Sequence, residues 1–196
     1  MTKPQDYFVR HEFGSDRIPI EEARVAPRLP IYAVLDNIRS AHNAGSMFRT
    51  ADGAGAQELL LCGYTPIPPH RHLSKTALGA VDVVPWRHCP TTDEAIEVVK
   101  SRGAQVLAVE YTESSVPLYN FPLRFPVAIV LGNEVAGLSA EIMAQCDATV
   151  RLPMHGLKSS LNVSVAFGIA VYEIVRRYGE QSARSLNSPA AREGRT

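Results

Sequence analysis

The stretch 127-VAIVLGNEVAGLSAEIMAQC-146 decides the fold. It opens with an unbroken apolar run and then turns polar at Gly132, Asn133 and Glu134. Such a run fits a strand buried on both faces, as in a parallel sheet with helices on either side. SAEIMAQC reads as a short helix leading to a strand in ATVRLP, 148–153. Towards the N-terminus the alternation repeats. IYAVLD (31–36) reads as a strand, AGSMFRTADGAG (44–55) as part of a helix, QELLLCG (57–63) as a second strand and VDVVP (81–85) as a third. Thr91 and Glu94 make a capping-box signature, with Asp93 in the first turn. The helix they open, DEAIEVVKSR, stops at Gly103, and AQVLAVE (104–110) follows as a strand. A long final helix is predicted from about Leu161 to Tyr178, ending at Gly179. The expected architecture is α/β, a three-layer parallel sheet.

Residues 1–28 read as an extended N-terminal arm with room for a short helix, 29–179 as the globular domain, and 180–196 as a flexible polar tail. The final helix carries apolar residues on nearly every side, including Val163, Val165, Phe167, Ile169, Val171 and Ile174. A helix with so little polar face belongs in a large core or a subunit interface, and in a domain of this size the interface is the better expectation.

Composition excludes several classes. No apolar run approaches the ~18 residues of a membrane span, and the N-terminus lacks a signal-peptide core, so a cytoplasmic protein without membrane partners is expected. Cys62, Cys89 and Cys146 are widely spaced and odd in number, which fits small buried hydrophobes in a reducing compartment. No G-x-G-x-x-G follows a strand, and neither a P-loop, a G-x-S-x-G elbow nor an H-E-x-x-H metal motif occurs. No metal site is expected. Formal net charge is +0, yet from Leu59 to His88 the only acid is Asp82, against Arg71, Lys75, Arg87 and three histidines. That stretch reads as a locally basic loop region.

Three segments set glycines and polar side chains just beyond strand ends, where ligands bind in open parallel sheets. The first runs N-x-G-x-x-x-R-x-A-x-x-x-G from Asn43 through Gly45, Arg49 and Ala51 to Gly55; the second is L-G-N-E-x-x-G-L, 131–138; the third is L-P-M, 152–154, followed by S-S-L-N-V-S, 159–164. Together, and in this order, they closely resemble the three signature motifs of the SpoU (TrmH-like) RNA 2′-O-ribose methyltransferases of the SPOUT superfamily. The resemblance covers roughly 29–178.

The resemblance implies a C-terminal deep trefoil knot, a homodimer that completes the active site, S-adenosyl-L-methionine as cofactor, and methyl transfer to a ribose 2′-hydroxyl of RNA. A non-catalytic RNA-binding protein on the same scaffold is the lesser reading. Arg49 matches the family's catalytic arginine. A guanidinium is a poor base at neutral pH, so an orienting contact to the ribose or an adjacent phosphate is preferred. Asn43, six positions earlier and about 240° away on a helix, is expected in the loop or first turn, as support for Arg49 or a contact to RNA. Glu134 could orient the arginine, and Asn162 could bind it or the substrate, although capping remains open for Asn162. Ser160 is either a cap or a substrate contact. Val109, Gly132, Leu152, Met154 and Leu161 match cofactor positions, recognised mainly through backbone groups, while Glu110 departs from the usual pattern. Arg10, Arg17, Arg24, Arg28, Arg71 and Lys75 are candidate phosphate contacts, and Arg176 and Arg177 either cap the final helix or touch RNA. No separate RNA-binding domain precedes 29–179, which favours tRNA over rRNA.

Overall fold

Apolar alternation builds the core. In the strand Leu29–Asp36 (β1), Ile31, Ala33 and Leu35 enter one apolar cluster and Val34 the other, and in Val127–Leu131 (β6) Val127, Ile129 and Leu131 oppose Ala128 and Val130. Both faces of the sheet are therefore dry, and each must be covered by helices. The computed structural model describes residues 19–186. Its elements in chain order are α1 (Ile20–Val25), β1, α2 (Ala41–Gly53), β2 (Ala56–Cys62), α3 (Arg71–Ala77), β3 (Trp86–Cys89), α4 (Thr92–Ser101), β4 (Gln105–Val109), β5 (Val116–Pro117), β6, α5 (Ala140–Gln145), β7 (Ala148–Arg151) and α6 (Val163–Leu186). The seven strands run in the order β3-β2-β1-β6-β4-β7-β5, and every pairing is parallel.

Residues of α2, α3 and α6 pack on one face of this sheet, and α4 and α5 on the other, giving the expected three layers. β6 lies between β1 and β4, with β7 outside β4. The C-terminal ends of β1, β6, β4 and β7 are thereby gathered at one edge of the sheet's middle. Asp36, Leu131, Val109 and Arg151 close these strands, so the segments that follow them start side by side.

Local chemistry sets the helix starts. Ser40, Thr91 and Ser139 accept from the backbone N–H three residues on and cap α2, α4 and α5. α2 and α3 touch through Gly45: a Cβ there would lie 2.0 Å from Thr76 Oγ1 and 2.4 Å from the Leu73 carbonyl oxygen. No larger residue fits without separating the helices.

Several expectations change. The third strand is not VDVVP. Leu78 (φ 50) and Gly79 (φ 91) turn the chain left-handed, residues 80–82 form a 3-10 turn, and pairing with β2 begins at Trp86. Pro85 has no N–H to give the ladder, although its carbonyl accepts from Leu59 N at 3.0 Å. The basic stretch after β2 contains helix α3, capped by His70 Nδ1 accepting from Leu73 N at 3.4 Å. β5 lacked any sequence signal. The last helix does not stop at Gly179 but continues through Glu180 to Leu186, so 180–186 is helical rather than a tail. Arg176 and Arg177 are consequently interior to the helix. Arg176 pairs with Glu173 (2.9 Å) and Glu180 (2.5 Å), and Arg177 donates to the Leu118 carbonyl at 3.2 Å. Of the N-terminal arm, 1–18 lie outside the described residues, as do 187–196 of the tail, and the remainder contains α1. No helix is long and apolar enough to cross a membrane, among the described residues.

Candidate functional site

The segments leaving β4, β6 and β7 enclose a cavity of about 620 Å³. Its walls combine apolar side chains (Leu131, Leu138, Met143, Val163) with residues 132–137 of the loop after β6. A volume in this range suits a nucleoside-sized ligand. All five residues expected at the cofactor, Val109, Gly132, Leu152, Met154 and Leu161, line it, as do Glu134, Ser160 and Asn162. Asn43 and Arg49 do not.

The loop after β6 depends on tight backbone contact. A Cβ on Gly132 would sit 2.4 Å from the Gly137 carbonyl carbon, and Gly137 itself has φ +67. One carboxylate holds the loop from outside. Glu110 Oε2 accepts from Leu138 N at 3.0 Å, while Oε1 accepts from Tyr111 N at 2.9 Å. The residue that departs from the family pattern thus ties the end of β4 to this loop. On the other flank, Asn133 donates from Nδ2 to the Asn37 carbonyl and to Tyr64 Oη, both at 2.8 Å, and its Oδ1 accepts from Val135 N and Ala136 N.

Glu134 connects this loop to α2. Its Oε1 accepts from Asn43 Nδ2 (2.8 Å) and Ser40 N (3.0 Å), and Oε2 accepts from Arg39 N (2.8 Å). The carboxylate therefore sits at the N-terminus of α2, where unpaired N–H groups and the helix dipole favour an anion. Partial burial works to raise its pKa, but the donors from Arg39, Asn43 and Ser40 prevail and hold it below the ordinary carboxylate range. A carboxylate so stabilised is a poor proton acceptor. Its part is to hold Asn43.

Asn43 stands in the first turn of α2, as its spacing from Arg49 predicted, and its Oδ1 accepts from Asn162 Nδ2 at 3.1 Å. Asn162 in turn caps α6, accepting at Oδ1 from Ser164 N (2.9 Å) and Ser164 Oγ (2.7 Å). The capping reading of Asn162 holds, while its other end meets Asn43 of motif one rather than Arg49. A chain of hydrogen bonds, Glu134 to Asn43 to Asn162, joins the three sequence motifs.

Arg49 is exposed near the other end of α2 and forms no hydrogen bond or ion pair among the described residues. It lies outside the cavity of its own chain. Ser160 lines the cavity but caps nothing, since Asn162 holds the α6 start. Arg71 and Lys75 are exposed on α3. Arg28, expected at a phosphate, instead gives NH1 to the Ala56 carbonyl (3.2 Å) and NH2 to that of Val83 (2.5 Å), bracing the sheet edge. Arg24 likewise turns to the Asp82 carbonyl and Glu21, while Arg10 and Arg17 lie outside the described residues.

The sequence reading missed Asn37, Tyr64, Asn133 and Glu110 as supports. The available signals were the Asn133–Glu134 adjacency and the unusual acid at 110. The cysteines serve the core. Burial pushes the Cys62 thiol up to about 12 and the Cys146 thiol up to about 11, so neither offers a thiolate at neutral pH. No group of side chains able to hold a metal occurs among the described residues.

The depressed Glu134 pKa has a signed consequence. The unfolded carboxyl titrates near about 4.3, so its stabilisation is complete above that value and disappears as pH falls through the lower folded pKa. Urea unfolding of wild type and Glu134→Gln is therefore expected to show its widest midpoint difference at neutral pH, narrowing below about pH 4. A difference that stays constant or widens on acidification contradicts this assignment.

Comparison with known proteins agrees with this geometry. The model of the SpoU rRNA Methylase family matches residues 30–172. A 23S rRNA (guanosine-2′-O-)-methyltransferase, RlmB, of Pseudomonas aeruginosa is 34% identical over 149 residues, which are 76% of this chain and 60% of the relative. The chain thus spans about three fifths of that relative's length. Among solved structures, an AdoMet-bound rRNA methyltransferase from Sinorhizobium meliloti is similar with a TM-score of 0.71 at 32% identity, covering 83% of this chain and 61% of the other. A TrmH/SpoU tRNA modifying enzyme from A. aeolicus has a TM-score of 0.75 at 28% identity, with 85% of each chain covered. With motifs, cavity and family model in agreement over the same residues, the chain belongs to the SpoU rRNA methylase family.

Proposed function

We propose that this protein is an S-adenosylmethionine-dependent RNA 2′-O-methyltransferase. The observation that carries the reading is the Glu134–Asn43–Asn162 chain at the rim of the cavity, because it ties motif one to the two motifs that line that cavity. The cavity suits the cofactor: its apolar walls take an adenine, and among the described residues no cluster of cations lines it. Bound there, S-adenosylmethionine supplies an electrophilic methyl group on a sulfonium. It carries no phosphate, so the absence of a glycine-rich phosphate cradle from the sequence is in keeping with it.

Arg49 is the residue we assign to the ribose. Its guanidinium binds the 2′-oxygen or the neighbouring phosphate and favours the developing alkoxide, the hydroxyl proton leaving to solvent as the methyl group passes from sulfur to oxygen. Because Arg49 does not line the cavity of its own chain, it serves the cavity of a second copy. Support for a homodimer comes from α6. Phe167, Ala170, Val171 and Ile174 are fully buried against the sheet, yet Val165 (50% exposed), Ile169 (38%) and Tyr172 (51%) form an apolar stripe on the opposite side. These positions, spaced i, i+4 and i+7, share one helix face. Tyr172 Oη lies beside Gly53 at the end of α2, so the stripe adjoins the helix that carries Arg49. The same reading includes a C-terminal knot, supported by β6 lying between the earlier strands β1 and β4 and by residues of 152–162 lining the same cavity as the loop after β6.

The substrate class is RNA. We assign tRNA first, on the mutual 85% coverage with the A. aeolicus tRNA modifying enzyme. The 34% identity to the 23S rRNA enzyme favours rRNA as the second reading. Exposed Arg71 and Lys75 are the described cations assigned to its phosphates. Free thiols throughout fit the cytoplasm as the working compartment.

Labelled methyl transfer to unmodified total RNA, followed by nucleoside mass spectrometry, is expected to yield 2′-O-methylnucleosides. Arg49→Ala is expected to lower kcat by roughly 10²-fold without changing cofactor affinity. Base-methylated products alone would refute the reading. For the dimer, Ile169→Glu is expected to yield monomers in sedimentation velocity and to abolish transfer while leaving the fold intact. A monomeric wild type with full activity would contradict the shared site.

A further inference from the structure

Tyr64 follows β2 and is 61% exposed, an unusual position for a ring whose ends are both fixed. Its backbone N–H donates to Asn37 Oδ1 at 3.3 Å, and its hydroxyl accepts from Asn133 Nδ2 at 2.8 Å. The flanking chain is equally constrained. Gly63 (φ +58) packs against the Asn37 amide so closely that a Cβ would meet Oδ1 at 2.1 Å. Next to it, Thr65 Oγ1 donates to the Leu35 carbonyl at 2.9 Å and accepts from Ile38 N at 2.9 Å. A tyrosine pinned at its Cα and its hydroxyl has lost its rotamer freedom while most of its surface remains open to solvent.

That ring stands beside the reaction volume. Asn133, which holds its hydroxyl, lines the cavity and immediately precedes Glu134. The same connection runs on through residues 65–70 into α3, where Arg71, His72 and Lys75 are exposed. A flat, preorganised aromatic surface followed by cations is the combination that receives an unstacked base and its backbone. Ordering costs for the ring have already been met in folding, so stacking needs little further entropy.

We propose that Tyr64 is a stacking platform for a nucleobase of the RNA substrate, at the rim of the methyl-transfer site. The proposal rests on the RNA methyltransferase reading and adds a substrate-binding residue to it. Tyr64 touches the base and no reacting atom. Nothing in the arrangement requires a particular base, because every base has a face to stack.

The alternative role, a hydroxyl that merely props Asn133, is separated by comparing Tyr64→Phe with Tyr64→Leu. The probe is a single-stranded RNA nonamer with one 2-aminopurine flanked by uridines, titrated into wild type and both variants, with S-adenosylmethionine affinity measured in parallel. Wild type and Tyr64→Phe are expected to quench 2-aminopurine fluorescence on binding. Tyr64→Leu is expected to bind on the order of tenfold more weakly and without quenching, with a cofactor affinity equal to that of Tyr64→Phe, which lacks the same hydroxyl. Equal binding and quenching by Tyr64→Leu overturns the proposal. So does a Tyr64→Phe variant as weak as Tyr64→Leu, or a loss of cofactor affinity in both, since either result assigns the residue to the Asn133 contact. Quenching by a wild type that transfers no methyl group to total RNA would remove the methyltransferase reading and leave the platform standing; loss of both would remove both.

Discussion

A single carboxylate accepting hydrogen bonds from the start of a helix organises the site. Glu134 receives Arg39 N, Ser40 N and the Asn43 side chain, three donors from one short stretch of another strand's connection. Without it, the N–H groups of Arg39 and Ser40 just before α2 would lose their protein acceptor, and the loop after β6 would lose its anchor on that side. The helix terminus keeps the carboxylate charged, and the charged carboxylate keeps the terminus in place. Asn162 extends the same chain to α6, so the loop that closes the cavity from the C-terminal side is tied to both earlier motifs.

This arrangement divides labour between backbone and side chains. The cavity is formed by a loop too tight for any side chain at Gly132, held by Glu110 on one flank and Asn133 on the other. Arg49, the cation proposed for the ribose, stands apart on an exposed face of α2, the helix that adjoins the apolar stripe of α6. In the proposed dimer, association and catalytic competence are the same event. A lone copy would bind cofactor without the guanidinium needed at the ribose.

The parts of the fold that follow from burial were legible in the sequence. β1 and β6 announce themselves as unbroken apolar runs, and Thr91 marks the start of α4 through its own hydrogen bond to Glu94 N. Errors arose where local signals were overridden. The apolar residues of VDVVP do reach the core, Val84 being 2% exposed, but they do so from a turn imposed by Leu78 and Gly79. Gly179 looked like a helix end because glycine costs about 1 kcal/mol in a helix interior. Ion pairs from Arg176 and the Gln181 amide on the Leu123 carbonyl accompany the helix past it. At the site, the motif residues could be identified by resemblance, but their bonding could not. That Glu134 grips Asn43 rather than Arg49, and that Asn37 and Tyr64 brace Asn133, depends on which strand ends are neighbours, information that resides in the strand order.

The central claim is that the three motifs act as one hydrogen-bonded unit. A double-mutant cycle on methyl transfer, using Asn43→Ala, Asn162→Ala and the pair together, tests it most directly. The account predicts strong non-additivity, with the double variant scarcely slower than the worse single and a coupling energy of roughly 0.5–3 kcal/mol. Losses that simply multiply would contradict it.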